Sequence, residues 1–151
     1  MKIYDYDVTF VEVPTEINLT FYVYGCKLNC KNCSWLFANT DSVYELSIED
    51  YKDLLEKYKD KATCIVFLGG EWEENIIDYI KLAQKDYKIC LYTGLTYNEL
   101  LNQYPDIIQY LDYLKTGRYI ERLGNLDSPT TNQQLLRLTD NKILKGKGFN
   151  K

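Results

Sequence analysis

The chain has 151 residues, a net charge of -4 and no histidine. This length predicts one domain with a buried core of its own, and the acidic balance argues against nucleic acid as a partner. The absence of histidine excludes Ser-His-Asp and Cys-His catalysis, histidine zinc ligands and histidine acid-base steps.

Predicted strands and helices alternate along the chain. Strands rich in apolar, β-branched and aromatic residues are predicted over residues 17–24, 63–68 and 88–92, with further candidate strands at 112–115 and 142–144. A first helix is predicted to begin after Ser47, and others cover 76–82 and 97–103, whereas 107–111 fits either a helix or a strand. The lysine-rich residues 142–151 are also expected to be a flexible tail of the single domain 1–151.

This alternation predicts an α/β fold with a mostly parallel sheet. A closed eight-unit barrel takes about 250 residues, more than this chain has, so we predict a partial, open βα barrel. In such folds ligands bind beyond the carboxyl ends of the strands. The cysteine-rich segment 25–33, the run Gly69-Gly70-Glu71 and the pair Thr93-Gly94 each follow a predicted strand.

A cytoplasmic location is expected. Asp5 and Asp7 lie where a secretory signal peptide would be basic and then apolar, and the densest apolar run, 64–68, is too short to span a bilayer. We therefore expect no membrane partner. Reduced thiols are normal in the cytoplasm, and the odd count of five cysteines fits poorly with a fully paired disulfide framework.

Three of these cysteines, Cys26, Cys30 and Cys33, have the spacing C-x3-C-x2-C. A structural zinc site normally takes four protein ligands, and Cys64 and Cys90 are the remaining cysteines, both in predicted buried strands. A redox dithiol formed by Cys30 and Cys33 would leave Cys26 without a role. An iron-sulfur cluster uses all three thiolates and leaves one coordination position open.

The cysteine spacing after the first predicted strand resembles the signature of the radical S-adenosylmethionine superfamily. The resemblance implies a partial barrel of the radical S-adenosylmethionine type, in which the three cysteines hold a 4Fe-4S cluster and the open iron binds S-adenosyl-L-methionine. It further implies reductive cleavage of that cofactor to a deoxyadenosyl radical. Gly69, Gly70 and Glu71 resemble the motif that binds the methionyl amino group of the cofactor, and Asn32 and Thr93 are expected to line its site.

Several segments are similar to the activating proteins of anaerobic (class III) ribonucleoside-triphosphate reductase. They are the cysteine segment and residues 91–94, 113–119 and 127–134. The similarity implies an activase that generates a glycyl radical on the large reductase subunit, with a flavodoxin or ferredoxin-type protein as electron donor.

Alternatives remain a zinc-stabilised module without catalysis and a radical enzyme acting on another substrate. Such an enzyme would resemble 7-carboxy-7-deazaguanine synthase or pyruvate formate-lyase activase. Tyr92, Asn132 and Gln133 receive no definite role from the sequence.

Overall fold

A computed structural model of the protein describes residues 1–28 and 42–149. The strands, in chain order, are β1 (Lys2–Thr9), β2 (Asn18–Val23), β3 (Tyr44–Glu45), β4 (Cys64–Leu68), β5 (Lys88–Tyr92), β6 (Tyr113–Thr116), β7 (Gln134–Arg137) and β8 (Lys142–Gly146). The helices are α1 (Ile48–Tyr58), α2 (Ile76–Ala83) and α3 (Tyr97–Gln103), and a short 3-10 turn covers Ile108–Tyr110. The strands form one sheet with the order β3-β1-β2-β4-β5-β6-β7-β8.

The predicted central strands and helices are confirmed. The order β2-β4-β5-β6 is parallel throughout, and the helices occur in the connections between these strands. Ser47 caps α1 as predicted, because its side chain accepts a hydrogen bond of 3.1 Å from the Asp50 N–H. Thr96 caps α3 with a full capping box that includes Glu99.

The prediction of a partial, open βα barrel with a mostly parallel sheet is wrong. β1 pairs with β2 and β3, and β7 pairs with β6 and β8, and all four of these pairings are antiparallel. In the described residues the fold is therefore a mixed eight-stranded sheet with three short helices. A barrel needs a helical crossover between successive parallel strands, and here the outer strands join the sheet by antiparallel pairing instead.

The two faces of the sheet are covered differently. Alternate residues of a strand point to opposite faces, so Ile65 and Phe67 of β4 pack with the helices, whereas Cys64 and Val66 lie in a second apolar cluster. That second cluster includes Val13 from the β1–β2 connection and is flanked by Leu126 from the β6–β7 connection. Helices therefore cover one face, and irregular segments cover the other.

The first residues of the expected tail are ordered. Lys142–Gly146 form β8, so the expectation of a flexible tail fails there, and the candidate strand at 142–144 is confirmed. No helix in the described part of the chain combines the length and apolar character that crossing a membrane requires.

Glu16 ties the β1–β2 connection to the amino ends of the parallel strands. Its carboxylate accepts hydrogen bonds from Thr63 Oγ1 at 2.6 Å, Lys88 Nζ at 2.9 Å and Tyr113 OH at 2.9 Å. Its side chain is only 7% exposed. Burial acts to raise the pKa of Glu16, but the bonds from these three partners outweigh burial, and the net pKa is lowered.

Replacing Glu16 by alanine is expected to lower the free energy of unfolding by about 2 kcal/mol, because three donors lose their acceptor. A lowered carboxyl pKa gives stability that is present above the ordinary pKa of glutamate and is lost as the pH falls through the folded-state value. Chemical unfolding at neutral and acidic pH measures both effects. The control is Glu56→Ala on the exposed side of α1, and equal stability of the two variants at neutral pH would refute the role of Glu16.

Candidate functional site

The carboxyl ends of β2, β4, β5 and β6 meet at one edge of the sheet, because these strands are parallel neighbours. Gly25 and Cys26 follow β2, the segment 69–71 follows β4, and Thr93 follows β5. The sequence prediction that these segments share one edge is therefore confirmed by the strand order. Cys26 is half-buried there. Cys30, Asn32 and Cys33 lie outside the described residues.

Glu71 and Thr93 form a buried pair at this edge. The pairing of β4 with β5 extends to Gly69, whose N–H donates to the Tyr92 carbonyl at 2.8 Å. Thr93 Oγ1 donates to Glu71 Oε1 at 2.7 Å and accepts from the Leu95 N–H at 3.1 Å. The exposed fractions of Glu71 and Thr93 are 6% and 2%. The hydroxyl of Thr93 therefore holds one carboxylate oxygen in a fixed orientation.

The second oxygen of Glu71 is left open. Among the residues that the structure describes, Oε2 is buried and has no hydrogen-bond partner. Burial raises the pKa of the Glu71 carboxyl, although the bond from Thr93 and the positive charge of Lys115 act in the opposite direction. A buried carboxylate with one open oxygen is suited to a cationic donor such as an ammonium group, which would restore the stability of its charged form.

Lys115 of β6 supports this pair from the next strand. Its Nζ donates to the Gly117 carbonyl at 2.8 Å and to the Thr93 carbonyl at 3.4 Å. The ammonium also lies 5.9 Å from the centre of the Tyr92 ring. Lys115 lies in segment 113–119 and at the end of a candidate strand, but no role was predicted for it from the sequence.

Trp72 joins the segments that follow β2 and β4. Its indole Nε1 donates to the Tyr24 carbonyl at 2.9 Å. A Cβ built on Gly25 would lie 2.9 Å from the same nitrogen, and one built on Gly69 would overlap the far edge of the ring. Both glycines have positive φ angles, +111° and +83°, which disfavour other residues. No role was predicted for Trp72 from the sequence.

Leu28 fixes the cysteine segment to the end of β5. A Cβ on Gly94 would overlap Leu28 Cδ1, so the side chain of Leu28 occupies the space that this glycine leaves. Leu28 lies between Cys26 and Cys30 in the sequence. The first half of the cysteine segment is therefore held by Trp72 on one side and by Gly94 on the other.

Three residues left without a role by the sequence make structural contacts. Gln133 is buried, and its Nε2 donates to the Gly117 carbonyl at 3.2 Å. Asn132 Nδ2 donates to the Arg118 carbonyl at 3.1 Å. Tyr92 OH donates to the Glu12 carbonyl and so connects β5 with the β1–β2 connection. The contacts of Gln133 and Asn132 hold the backbone that follows β6, whereas Tyr92 contacts the β1–β2 connection.

Cys64 and Cys90 belong to the second apolar cluster and are both fully buried. Burial raises the pKa of each thiol, which leaves very little of the reactive thiolate. The prediction that both cysteines lie in buried strands is confirmed.

We expect alkylation of the reduced apo-protein to modify Cys26 at least about tenfold faster than Cys64 or Cys90, because both of the latter thiols are shielded from the reagent and their raised pKa leaves little thiolate. Mass spectrometry of peptides from a time course of iodoacetamide treatment measures the rates. Denatured protein is the control, in which all five cysteines should react. Labelling of Cys64 or Cys90 as fast as Cys26 in the folded protein would contradict their buried position.

Comparison with known proteins identifies a family but no individual relative. The family model described as "4Fe-4S single cluster domain" matches residues 16–139, most of the chain. Neither the curated proteins nor the solved structures contain a match. The matched region begins before β2 and ends after β7, so it includes every segment of the site described above. The chain belongs to the 4Fe-4S single cluster domain family, and it is an iron-sulfur protein.

Proposed function

We propose that the protein is a radical S-adenosylmethionine activase, which cleaves S-adenosyl-L-methionine reductively and generates a glycyl radical on anaerobic ribonucleoside-triphosphate reductase. The observation that carries the proposal is the buried carboxylate of Glu71. Its Oε2 has no hydrogen-bond partner among the described residues. Glu71 follows Gly69-Gly70 at the sheet edge that also carries Cys26. When bound, the cluster supplies the single electron that breaks the sulfonium bond of the cofactor.

Each site residue has a role in this proposal. Cys26, Cys30 and Cys33 provide three thiolates, so that one iron remains available to the cofactor. Glu71 binds the amino group of S-adenosyl-L-methionine through its open oxygen, while Thr93 holds the other oxygen.

The remaining proposed residues line the site. Gly69 and Gly70, both with positive φ, let the backbone come close to the ligand. Asn32, in the cysteine segment, is proposed to contact the adenosine part of the cofactor.

The choice of protein partner rests on sequence resemblance. Residues 91–94, 113–119 and 127–134 are similar to the corresponding segments of the reductase-activating proteins. The large reductase subunit is therefore the proposed substrate, and a flavodoxin or ferredoxin-type protein is the proposed electron donor. Hydrogen-atom abstraction needs a positioned radical rather than a general base, in keeping with a chain that has no histidine. We place this reaction in the cytoplasm.

The test combines the anaerobically reconstituted protein with reductant, S-adenosyl-L-methionine and the anaerobic reductase from the same source. We expect a glycyl radical signal by electron paramagnetic resonance. The control is a reductase variant in which the radical-bearing glycine is alanine, which should give no such signal. Cofactor cleavage without a glycyl radical would indicate another substrate, as in enzymes like 7-carboxy-7-deazaguanine synthase or pyruvate formate-lyase activase. A chain that takes up zinc but no iron would be the non-catalytic module.

A further inference from the structure

Trp72 occupies the point at which the segments carrying Cys26 and Glu71 approach each other. It follows Glu71 directly in the chain, and it contacts the backbone on the other side at Tyr24 and Gly25, immediately before Cys26. The indole is half-buried and packs against the apolar cluster that contains Ile65, Phe67 and the buried residues of the helices. One side chain therefore spans the two segments that supply a proposed iron ligand and the proposed cofactor carboxylate.

The contacts of this indole are specific in two respects. The ring fills the space above two glycines from different strand ends, where a Cβ would collide with it. Its N–H donates to the Tyr24 carbonyl at 2.9 Å, and this bond fixes the position of the backbone two residues before Cys26. Phenylalanine could keep part of the ring contact but has no N–H, whereas alanine removes both contacts.

We infer that Trp72 is a positioning residue for the iron-sulfur cluster, which holds the backbone of Cys26 in place relative to Glu71. The inference rests on the proposed role of Cys26 as an iron ligand, but it does not depend on cleavage of S-adenosyl-L-methionine. Residues that orient a metal ligand without touching the metal typically change metal affinity by about 10- to 100-fold when they are replaced. Retention of iron is therefore the property that Trp72 should control.

The test compares three variants with the wild-type protein: Trp72→Ala, Trp72→Phe and the control Tyr113→Phe. Tyr113 OH donates a hydrogen bond of 2.9 Å to Glu16 at the opposite end of the parallel strands. Tyr113→Phe and Trp72→Phe each remove one hydrogen bond made by an aromatic side chain. In Tyr113→Phe the lost hydrogen bond is far from the cysteine segment. Two quantities are measured for each protein: the rate of iron loss to a chelator after anaerobic reconstitution, and the chemical unfolding of the apo-protein.

We expect Trp72→Ala to lose iron about tenfold faster than the wild type, with Trp72→Phe intermediate and Tyr113→Phe within about twofold. We also expect Trp72→Ala to change the electron paramagnetic resonance spectrum of the reduced cluster. Iron loss from both Trp72 variants at the wild-type rate would overturn the inference. Equally fast loss from Tyr113→Phe and Trp72→Phe would also overturn it, because general destabilisation would then explain the effect.

The outcomes for the inference and for the proposed function are distinct. A wild-type protein that retains its cluster but does not cleave S-adenosyl-L-methionine refutes the proposed function, while the rates of iron loss still decide the role of Trp72. If Trp72→Ala does not fold, Trp72→Phe against Tyr113→Phe carries the comparison. If both Trp72 variants cleave the cofactor normally and retain iron as the wild type does, the inferred role of Trp72 is refuted and the proposed function stands.

Discussion

Replacing Cys26, Cys30 or Cys33 by alanine is expected to reduce the iron retained after anaerobic reconstitution by on the order of tenfold or more. Each thiolate is proposed to bind one iron, and the chain has no histidine that could replace a lost ligand. The remaining cysteines, Cys64 and Cys90, are fully buried in the sheet. Iron and acid-labile sulfide per chain, together with visible absorbance, measure the effect.

Cys64→Ala and Cys90→Ala are the matched controls for these variants. Each removes a thiol from the second apolar cluster and should lower stability modestly while leaving the iron content unchanged. Full iron content in Cys26→Ala would show that Cys26 is not a ligand. If either control variant remained folded but lost iron, the ligands of the cluster would not be Cys26, Cys30 and Cys33 alone.

Replacing Glu71 by glutamine is expected to separate binding from stability. We predict that the affinity for S-adenosyl-L-methionine falls by about a hundredfold, since truncating one partner of a buried charge pair costs about 2 to 5 kcal/mol. The cluster should remain, because Glu71 is not a proposed iron ligand. At neutral pH the apo-variant should unfold with a free energy about 1 kcal/mol higher than the wild type, as expected when a buried functional charge is removed.

The stability difference between the wild type and Glu71→Gln should depend on pH, because the pKa of the Glu71 carboxyl is raised. The folded state holds the proton more tightly than the unfolded state, so the carboxyl lowers stability progressively as the pH rises from the ordinary glutamate pKa through the folded-state value. Glutamine removes this dependence, and the advantage of the variant should therefore vanish in acid. Titration with S-adenosyl-L-methionine tests the predicted loss of affinity. Chemical unfolding at neutral and at acidic pH tests the predicted change in stability.

Glu74→Gln, at an exposed position three residues further along, is the control for Glu71→Gln. It changes the same charge without touching the buried pair and should leave both affinity and stability near the wild-type values. If Glu71→Gln bound S-adenosyl-L-methionine with wild-type affinity, Glu71 would not be a cofactor-binding residue. A less stable Glu71→Gln apo-protein at neutral pH would mean that its charge is compensated within the folded chain.

The sequence predicted the centre of the sheet well and its margins poorly. Strands β2, β4, β5 and β6 are recognisable because each has a local apolar or aromatic run, and Ser47 marks the start of α1. β1 does alternate polar and apolar residues, but its pairing with β2 depends on contacts distant in sequence and includes an irregular register between Ile3 and Asp5. The short β3 and β7 have even weaker local patterns, so the mixed sheet was mistaken for part of a barrel.

The sequence motifs indicated which segments form the candidate site, but they did not indicate the contacts between those segments. The order of the strands brings Glu71 beside Thr93, which the motif alone did not require. Gly25 and Gly69 suggested separate turns, and only the folded chain shows that one indole, Trp72, covers both. No role was predicted for Lys115, although it lies in segment 113–119, because its contact with the Thr93 carbonyl depends on the pairing of β5 with β6.

The proposed radical chemistry is tested most directly by the formation of 5′-deoxyadenosine and methionine from S-adenosyl-L-methionine. The reduced, anaerobically reconstituted protein is assayed with and without the reductase. We expect the wild-type protein to form both products in equal amounts, and Cys26→Ala and Glu71→Gln to form neither at a comparable rate. Protein that carries a complete 4Fe-4S cluster and forms neither product under either condition would contradict the proposed radical chemistry.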